Sequence, residues 1–208
     1  MKLVTIGDSI TKGTYCENNE WFIADPCFSD VLKKMLCADE FINLGQNGIT
    51  YSTTSDVFPL DALSRKVKLI DNDADIIVVA GGTNDYAAKI KIGSAEDTED
   101  ISFYGATYAT FDYLKTNFKD AKIFVVTPIP RKSDGEKNEI GCTPDDYRHV
   151  IKEQAERFGF VCIDGKKLGI DPRIPEQMVK YVPDGLHPNQ KCHELYGEFL
   201  YNEIKKYI

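Results

Sequence analysis

Short apolar runs alternate along the chain with longer stretches in which apolar residues recur every three or four positions. This alternation predicts strands interleaved with amphipathic helices, and hence a parallel sheet covered on both faces. Five runs read as strands: Lys2 to Gly7, Phe41 to Leu44, Asp75 to Ala80, Lys122 to Thr127 and Val161 to Asp164. Within them, Ile76-Ile77-Val78-Val79 and Ile123-Phe124-Val125-Val126 show no polar alternation, the pattern of central strands buried on both faces. Leu60, Leu63, Val67 and Ile70 mark one helical stripe, and Tyr147, Val150, Ile151, Ala155 and Phe158 a second. The second carries its own start signal in Thr143 as N-cap, Pro144 at the first position and Asp145 and Asp146 in the first turn, with Gly159 to close it. A third stripe, Cys192, Leu195, Tyr196, Phe199, Leu200 and Ile204, begins directly after His187-Pro188. Ala87 to Ser102 is polar and without clear periodicity, and reads as a surface loop or lid edge. No repeat, low-complexity tract or linker interrupts the pattern, so one domain over residues 1–208 is expected.

Composition narrows the function classes. At 208 residues, with 42% hydrophobic and 28% charged residues, the chain has the make-up of a globular protein with a substantial core. A net charge of -8 argues against a phosphate-binding face, because nucleic-acid binding draws most of its affinity from clustered Lys and Arg. The basic pairs Lys33-Lys34, Lys166-Lys167 and Lys205-Lys206 are isolated and suit solvated faces. No apolar run approaches the roughly 18 residues that a membrane helix needs. The six cysteines form no C-x-x-C pair and no Cys/His cluster with the spacing of a zinc site, so free thiols are expected, with Cys162 and Cys192 as small core residues. A Cys16 to Cys27 link would require export. The strand carrying Ser9 follows Met1-Lys2 so closely that no signal fits ahead of it, and cytoplasmic residence is the expectation.

The chemistry gathers at strand ends, where open α/β sheets collect ligand-contacting groups. Ser9 follows the first strand, Gly48 the second, Gly81-Gly82-Thr83-Asn84-Asp85 the third, and Asp184 with His187 lies between the fifth strand and the last helix. All should fall on one rim. In order, Gly7-Asp8-Ser9, Asn43-Leu44-Gly45-Gln46-Asn47-Gly48, Gly82-Thr83-Asn84-Asp85 and Asp184-Gly185-Leu186-His187 resemble the four blocks of the SGNH hydrolases, also called the GDSL lipase/acylhydrolase family. Each block alone is weak; four in order over residues 7 to 188 are specific. The first block has Ile10 where the family name has Leu, which keeps an apolar residue.

The resemblance implies a flavodoxin-like three-layer α/β/α fold and an acyl-enzyme mechanism without a cofactor or metal. A serine hydroxyl needs a base within hydrogen-bonding reach, which His187 would supply through one ring nitrogen, while Asp184 would orient the other. Attack on a carbonyl puts negative charge on its oxygen. By resemblance the donors for it are the backbone N–H groups of Ser9 and Gly48 and the side-chain amide of Asn84; Gly45 competes for the glycine role, but its spacing from Asn43 favours Gly48. Asp8 and Asp85 could hold magnesium at adjacent strand ends, yet no second carboxylate pattern or phosphate-cradling loop accompanies them, and anchoring of the catalytic loops through backbone N–H bonds is the favoured role. His149 and His193 lie on helices, away from the rim, as surface or packing residues.

Family members deacetylate carbohydrates and small esters or act as lysophospholipases and thioesterases. Without a long apolar lid, short acyl groups such as acetyl, on a saccharide or small molecule, are favoured over longer chains. Trp21, Phe22, Phe28, Tyr51 and Tyr86 either line a substrate pocket or belong to the core. A catalytically inactive binding module and a flavodoxin-like nucleotide binder are the readings from other classes, and filled catalytic positions argue against the first.

Overall fold

The computed structural model describes residues 1–54 and 61–208. In chain order the elements are β1 (Lys2–Gly7), α1 (Ser9–Lys12), β2 (Thr14–Glu17), β3 (Glu20–Ile23), α2 (Phe28–Met35) and β4 (Glu40–Gly45). Then come α3 (Leu63–Lys66), β5 (Ile76–Ala80), α4 (Thr83–Ala87), α5 (Phe103–Asn117), β6 (Lys122–Val126), α6 (Pro144–Phe158), β7 (Val161–Ile163), α7 (Pro175–Tyr181) and α8 (Gln190–Ile204). Five strands form one parallel sheet in the order β4-β1-β5-β6-β7, and β2 with β3 forms an antiparallel hairpin outside it.

Period-two alternation splits the strand side chains between two cores. Val4, Ile6, Ile77, Val79, Ile123 and Val125 pack on one face with Leu63, Phe103, Phe111, Leu114, Tyr147 and Ile151. On the other, Leu3, Ile76, Val78, Phe124 and Val126 pack with Phe28, Leu32, Tyr196, Leu200 and Ile204. The result is the three-layer α/β/α sandwich.

All five sheet strands lie where the pattern predicts. Asp75, Thr127 and Asp164 fall just outside their strands, and Glu40 and Gly45 extend β4. Thr143, Pro144 and Gly159 bound α6 as expected: the Asp146 carboxylate accepts from the Thr143 amide and hydroxyl at 2.6 and 2.8 Å, and Gly159 closes the helix at φ 69°. Within the first stripe, Leu63, Val67 and Ile70 are buried, but the helix is one turn followed by a 3₁₀ turn; Leu60 lies outside the described residues. In α8, Leu195 is 37% exposed, so the buried stripe runs instead through Cys192, His193, Tyr196, Leu200 and Ile204. The hairpin, α2, α5 and α7 are elements that the pattern does not single out. Residues 88–102 contain neither helix nor strand. All six cysteines are free; Cys192 is fully buried and Cys162 is half-buried against the first core. Among the described residues, no helix is long and apolar enough to cross a membrane.

Candidate active site

The strand order reverses between β1 and β5, since β1 runs on to α1 and then to β4 on one side, while β5 begins the growth of the sheet on the other. Such a reversal opens a crevice at the carboxyl ends of the strands. Gly7, at the end of β1, pairs with both Gly45 and Ala80, so the loops after β1, β4 and β5 leave the sheet side by side.

The first loop turns sharply into α1, with Ser9 at its first position. Asp8 caps the turn, its Oδ1 accepting from the Ile10 amide at 2.9 Å, and Gly13 ends it at φ 92°. Asn43 holds the turn against β4: its Nδ2 donates to the Thr11 carbonyl at 2.8 Å, and its Oδ1 accepts from the Gly45 amide at 2.8 Å. Space is so short here that a side chain on Gly7 would lie 1.9 Å from the Ala80 carbonyl oxygen.

His187 arrives from the far end of the chain, on the loop between α7 and α8. Its Nε2 lies 3.0 Å from Ser9 Oγ, and its Nδ1 lies 2.6 Å from Asp184 Oδ2. The other Asp184 oxygen accepts from the Leu186 and His187 amides at 2.8 and 2.7 Å. Burial pushes the Asp184 carboxyl up, but the His187 ring and these two amides outweigh it and hold the group below its ordinary range. An ionised Asp184 only accepts, so Nδ1 carries the proton and Nε2 presents a lone pair to the Ser9 hydroxyl. Ser9 and His187 are each less than a tenth exposed.

The second and third loops are bound to each other. Asn84 Nδ2 donates to the Ile49 carbonyl at 2.9 Å, one residue beyond Gly48, leaving its second amide hydrogen uncommitted to that bond. Gly48 itself sits at φ 74°, a left-handed backbone that favours glycine. The Asp85 carboxylate accepts from the Tyr51 amide at 3.0 Å and the Ser52 amide at 3.3 Å. Asp8 and Asp85 thus make the backbone bonds expected of loop anchors. Burial raises both carboxyls, Asp8 to about 6 and Asp85 to about 7, against the opposing pull of those amides. Among the described residues no group of three or more His, Cys, Asp or Glu side chains is arranged to hold a metal ion.

Of the five aromatics set apart by sequence, Phe28 and Tyr51 are fully buried core residues and Tyr86 is buried against Tyr147. Trp21 and Phe22 are exposed on the β2–β3 hairpin, and the Trp21 ring meets the His187 ring edge-on at 5.4 Å. His149 is on the surface. His193 is fully buried, its Nδ1 accepting from the Phe28 amide at 3.3 Å and its ring stacked on Phe28. Burial lowers it to about 4, and it is a packing residue of the helical layer.

Arg131 and Lys132 belong to none of the four sequence blocks. Arg131 Nη1 donates to the Thr83 carbonyl and hydroxyl at 3.0 and 3.1 Å, and the Lys132 amide donates to the Gly185 carbonyl at 2.7 Å. This segment after β6 therefore ties the third block to the fourth, and its signal was only the Pro-rich stretch Pro128-Ile129-Pro130 that carries it off the sheet.

A model of the GDSL-like lipase/acylhydrolase family matches residues 5–195. No curated protein matches the sequence. Among solved structures, a protein from Lactobacillus plantarum is similar at 27% identity and a TM-score of 0.86, over 100% of this chain and 97% of that one. The aryl esterase of M. smegmatis shares the fold at 19% identity and a TM-score of 0.71, with 100% and 99% covered. A carbohydrate acetylesterase from Sinorhizobium meliloti does so at 14% identity and a TM-score of 0.71, with the same coverage.

Proposed function

The chain belongs to the GDSL-like lipase/acylhydrolase family and is an ester hydrolase, and on that premise we propose that it cleaves short-chain O-acyl esters through an acyl-Ser9 intermediate. The observation that carries this reading is the hydrogen-bonded run from Ser9 Oγ through both nitrogens of His187 to Asp184.

Ser9 Oγ attacks the acyl carbonyl carbon while its proton passes to His187 Nε2. The charge that develops on the carbonyl oxygen is met by the amides of Ser9 and Gly48 and by the free amide hydrogen of Asn84. As the intermediate collapses, His187 gives its proton to the departing alcohol oxygen. Water then attacks the acyl-Ser9 ester, His187 takes one of its protons, and the second collapse returns that proton to Ser9 Oγ. Asp184 remains ionised throughout and offsets the charge of the imidazolium.

Short acyl groups are favoured because the loop at residues 88–102 holds no run of apolar side chains to cover a long acyl chain and is fastened by hydrogen bonds of Ser94 and Ser102 to Asp97. Acetyl esters of saccharides and small molecules are the proposed substrates, and the carbohydrate acetylesterase sharing the fold accords with that class. The test measures hydrolysis of p-nitrophenyl esters from acetyl to decanoyl by wild type and Ser9→Ala. A burst of p-nitrophenol from the wild type, its absence in Ser9→Ala and a kcat/KM that falls with acyl length are expected. Equal rates for the two proteins would remove Ser9 from the mechanism, and rising kcat/KM with length would point to a lysophospholipase or thioesterase.

A further inference from the structure

The β2–β3 hairpin turns through Asn18 and Asn19, both left-handed at φ 53° and 64°, the backbone of a tight two-residue turn matched to strand twist. Its register sets Thr14 opposite Ile23 and Cys16 opposite Trp21, so these four side chains share one face, while Tyr15 and Phe22 stack on the other at 5.2 Å. The first face reaches the site at two points. At one, the Trp21 ring lies against His187; at the other, Thr14 Oγ1 donates at 2.8 Å to Asn47 Oδ1, next to Gly48. Thr14, Trp21, Phe22, Ile23 and Asn47 line an open groove of about 430 Å³.

Trp21 is 64% exposed and Ile23 57%, so this apolar surface adds little to the core. What places it is chemistry. The proton on His187 Nε2 is delivered to the departing oxygen, so the alcohol portion of an ester lies beside the imidazole, whereas the acyl carbonyl oxygen lies toward Gly48 and Asn84. A side chain in contact with the imidazole therefore flanks the alcohol.

We propose that Trp21, with Ile23 beside it, is a specificity-determining platform for the alcohol portion of the substrate, selecting alcohols that carry a six-membered ring with a flat apolar face. Pyranosides and phenols share that feature, and an indole binds it by stacking. Asn47, exposed on the same groove with its Oδ1 held by Thr14, offers its amide N–H to ring hydroxyls. This inference rests on the acyl-Ser9 reading and adds the identity of the leaving group to it.

Three acetates separate the effects: ethyl acetate, phenyl acetate and a monoacetylated methyl glucoside. All form the same acetyl-enzyme, so deacylation is common to them and only kcat/KM reports the alcohol. For Trp21→Ala, kcat/KM on the ring-bearing acetates should fall about tenfold relative to ethyl acetate, while Trp21→Phe should keep the ratio within about threefold. A loss confined to phenyl acetate or to the glucoside identifies which ring source the platform serves. A fall of equal size on all three assigns Trp21 to holding His187 and overturns the proposal, as does no change on any. Active Ser9→Ala sinks the acyl-enzyme reading; inactive Ser9→Ala with unmoved ratios sinks the platform alone.

Discussion

Asp184 spends its acceptor capacity on one loop: two backbone amides on Oδ1 and the imidazole on Oδ2. In Asp184→Asn the amide oxygen can still serve the two backbone donors, so the loop should keep its shape while the charge that stabilises the imidazolium is lost. We expect kcat to drop by about 10²- to 10⁴-fold, far more than the modest fall in the unfolding midpoint that loss of the ionised carboxylate brings. A stability loss equal to the activity loss would show that Asp184 serves the loop alone. Asn84 differs in having one amide hydrogen fixed on the Ile49 carbonyl and the other directed by that bond. In the proposed mechanism Asn84→Ala removes a donor to the developing oxyanion, and it should cost about 10²- to 10³-fold in turnover with KM little changed. A change in KM with kcat intact would instead assign Asn84 to ground-state binding.

Among the elements, α1 is held in place from two sides by glycines that let backbones touch. A Cβ on Gly45 would lie 2.2 Å from the Lys12 amide nitrogen and 2.6 Å from its Cα, and neither can swing aside as a side chain would. Gly45→Ala should therefore destabilise the protein by about 1–3 kcal/mol, read as a shifted urea midpoint, and lower activity by displacing Ser9. An unshifted midpoint would show that β4 and α1 have slack between them. The elements legible in the sequence are those whose side chains advertise one environment. The β5 and β6 runs are apolar on both faces, and α6 carries its cap, proline and closing glycine in plain view. α5 is not legible in this way, because Thr107 and Thr110 look solvent-facing but are buried and satisfy their hydroxyls on the carbonyls of Phe103 and Ala106. The hairpin had a local signal in Asn18-Asn19 between two short alternating runs, yet its exposed Trp21 and Phe22 imitate core residues. The four blocks of the site were legible because each is contiguous; the bridge from Arg131 to Thr83 is not, since it joins residues 48 positions apart.

Across the whole molecule, charge and burial oppose each other along the pH axis. Hydrogen bonds to Asp97, Asp171 and Asp184 hold their carboxyls low, so the stability these groups contribute is present above the ordinary carboxylate range and lost as pH falls. Asp85 works the other way. Burial lifts it from 3.8 to about 7, and the nearby Asp8 adds to the lift after the backbone amides have pulled it back. A carboxyl raised on folding gives its stabilisation in full below the unfolded value and loses it as pH climbs through the folded one, so the window for Asp85 runs from about pH 4 to 7. Asp85→Asn isolates this contribution, because an amide oxygen can still accept from Tyr51 and Ser52 but never ionises. Between pH 5 and 8 the unfolding free energy of the variant should gain on that of the wild type by about 2–3 kcal/mol, at ~1.4 kcal/mol per pKa unit. Urea titrations of both proteins at the two pH values measure the gain, which should come from the wild type losing stability at the alkaline end. A gap independent of pH would mean that Asp85 is ionised at both ends, and that the second and third loops are anchored by a charge the fold carries without cost.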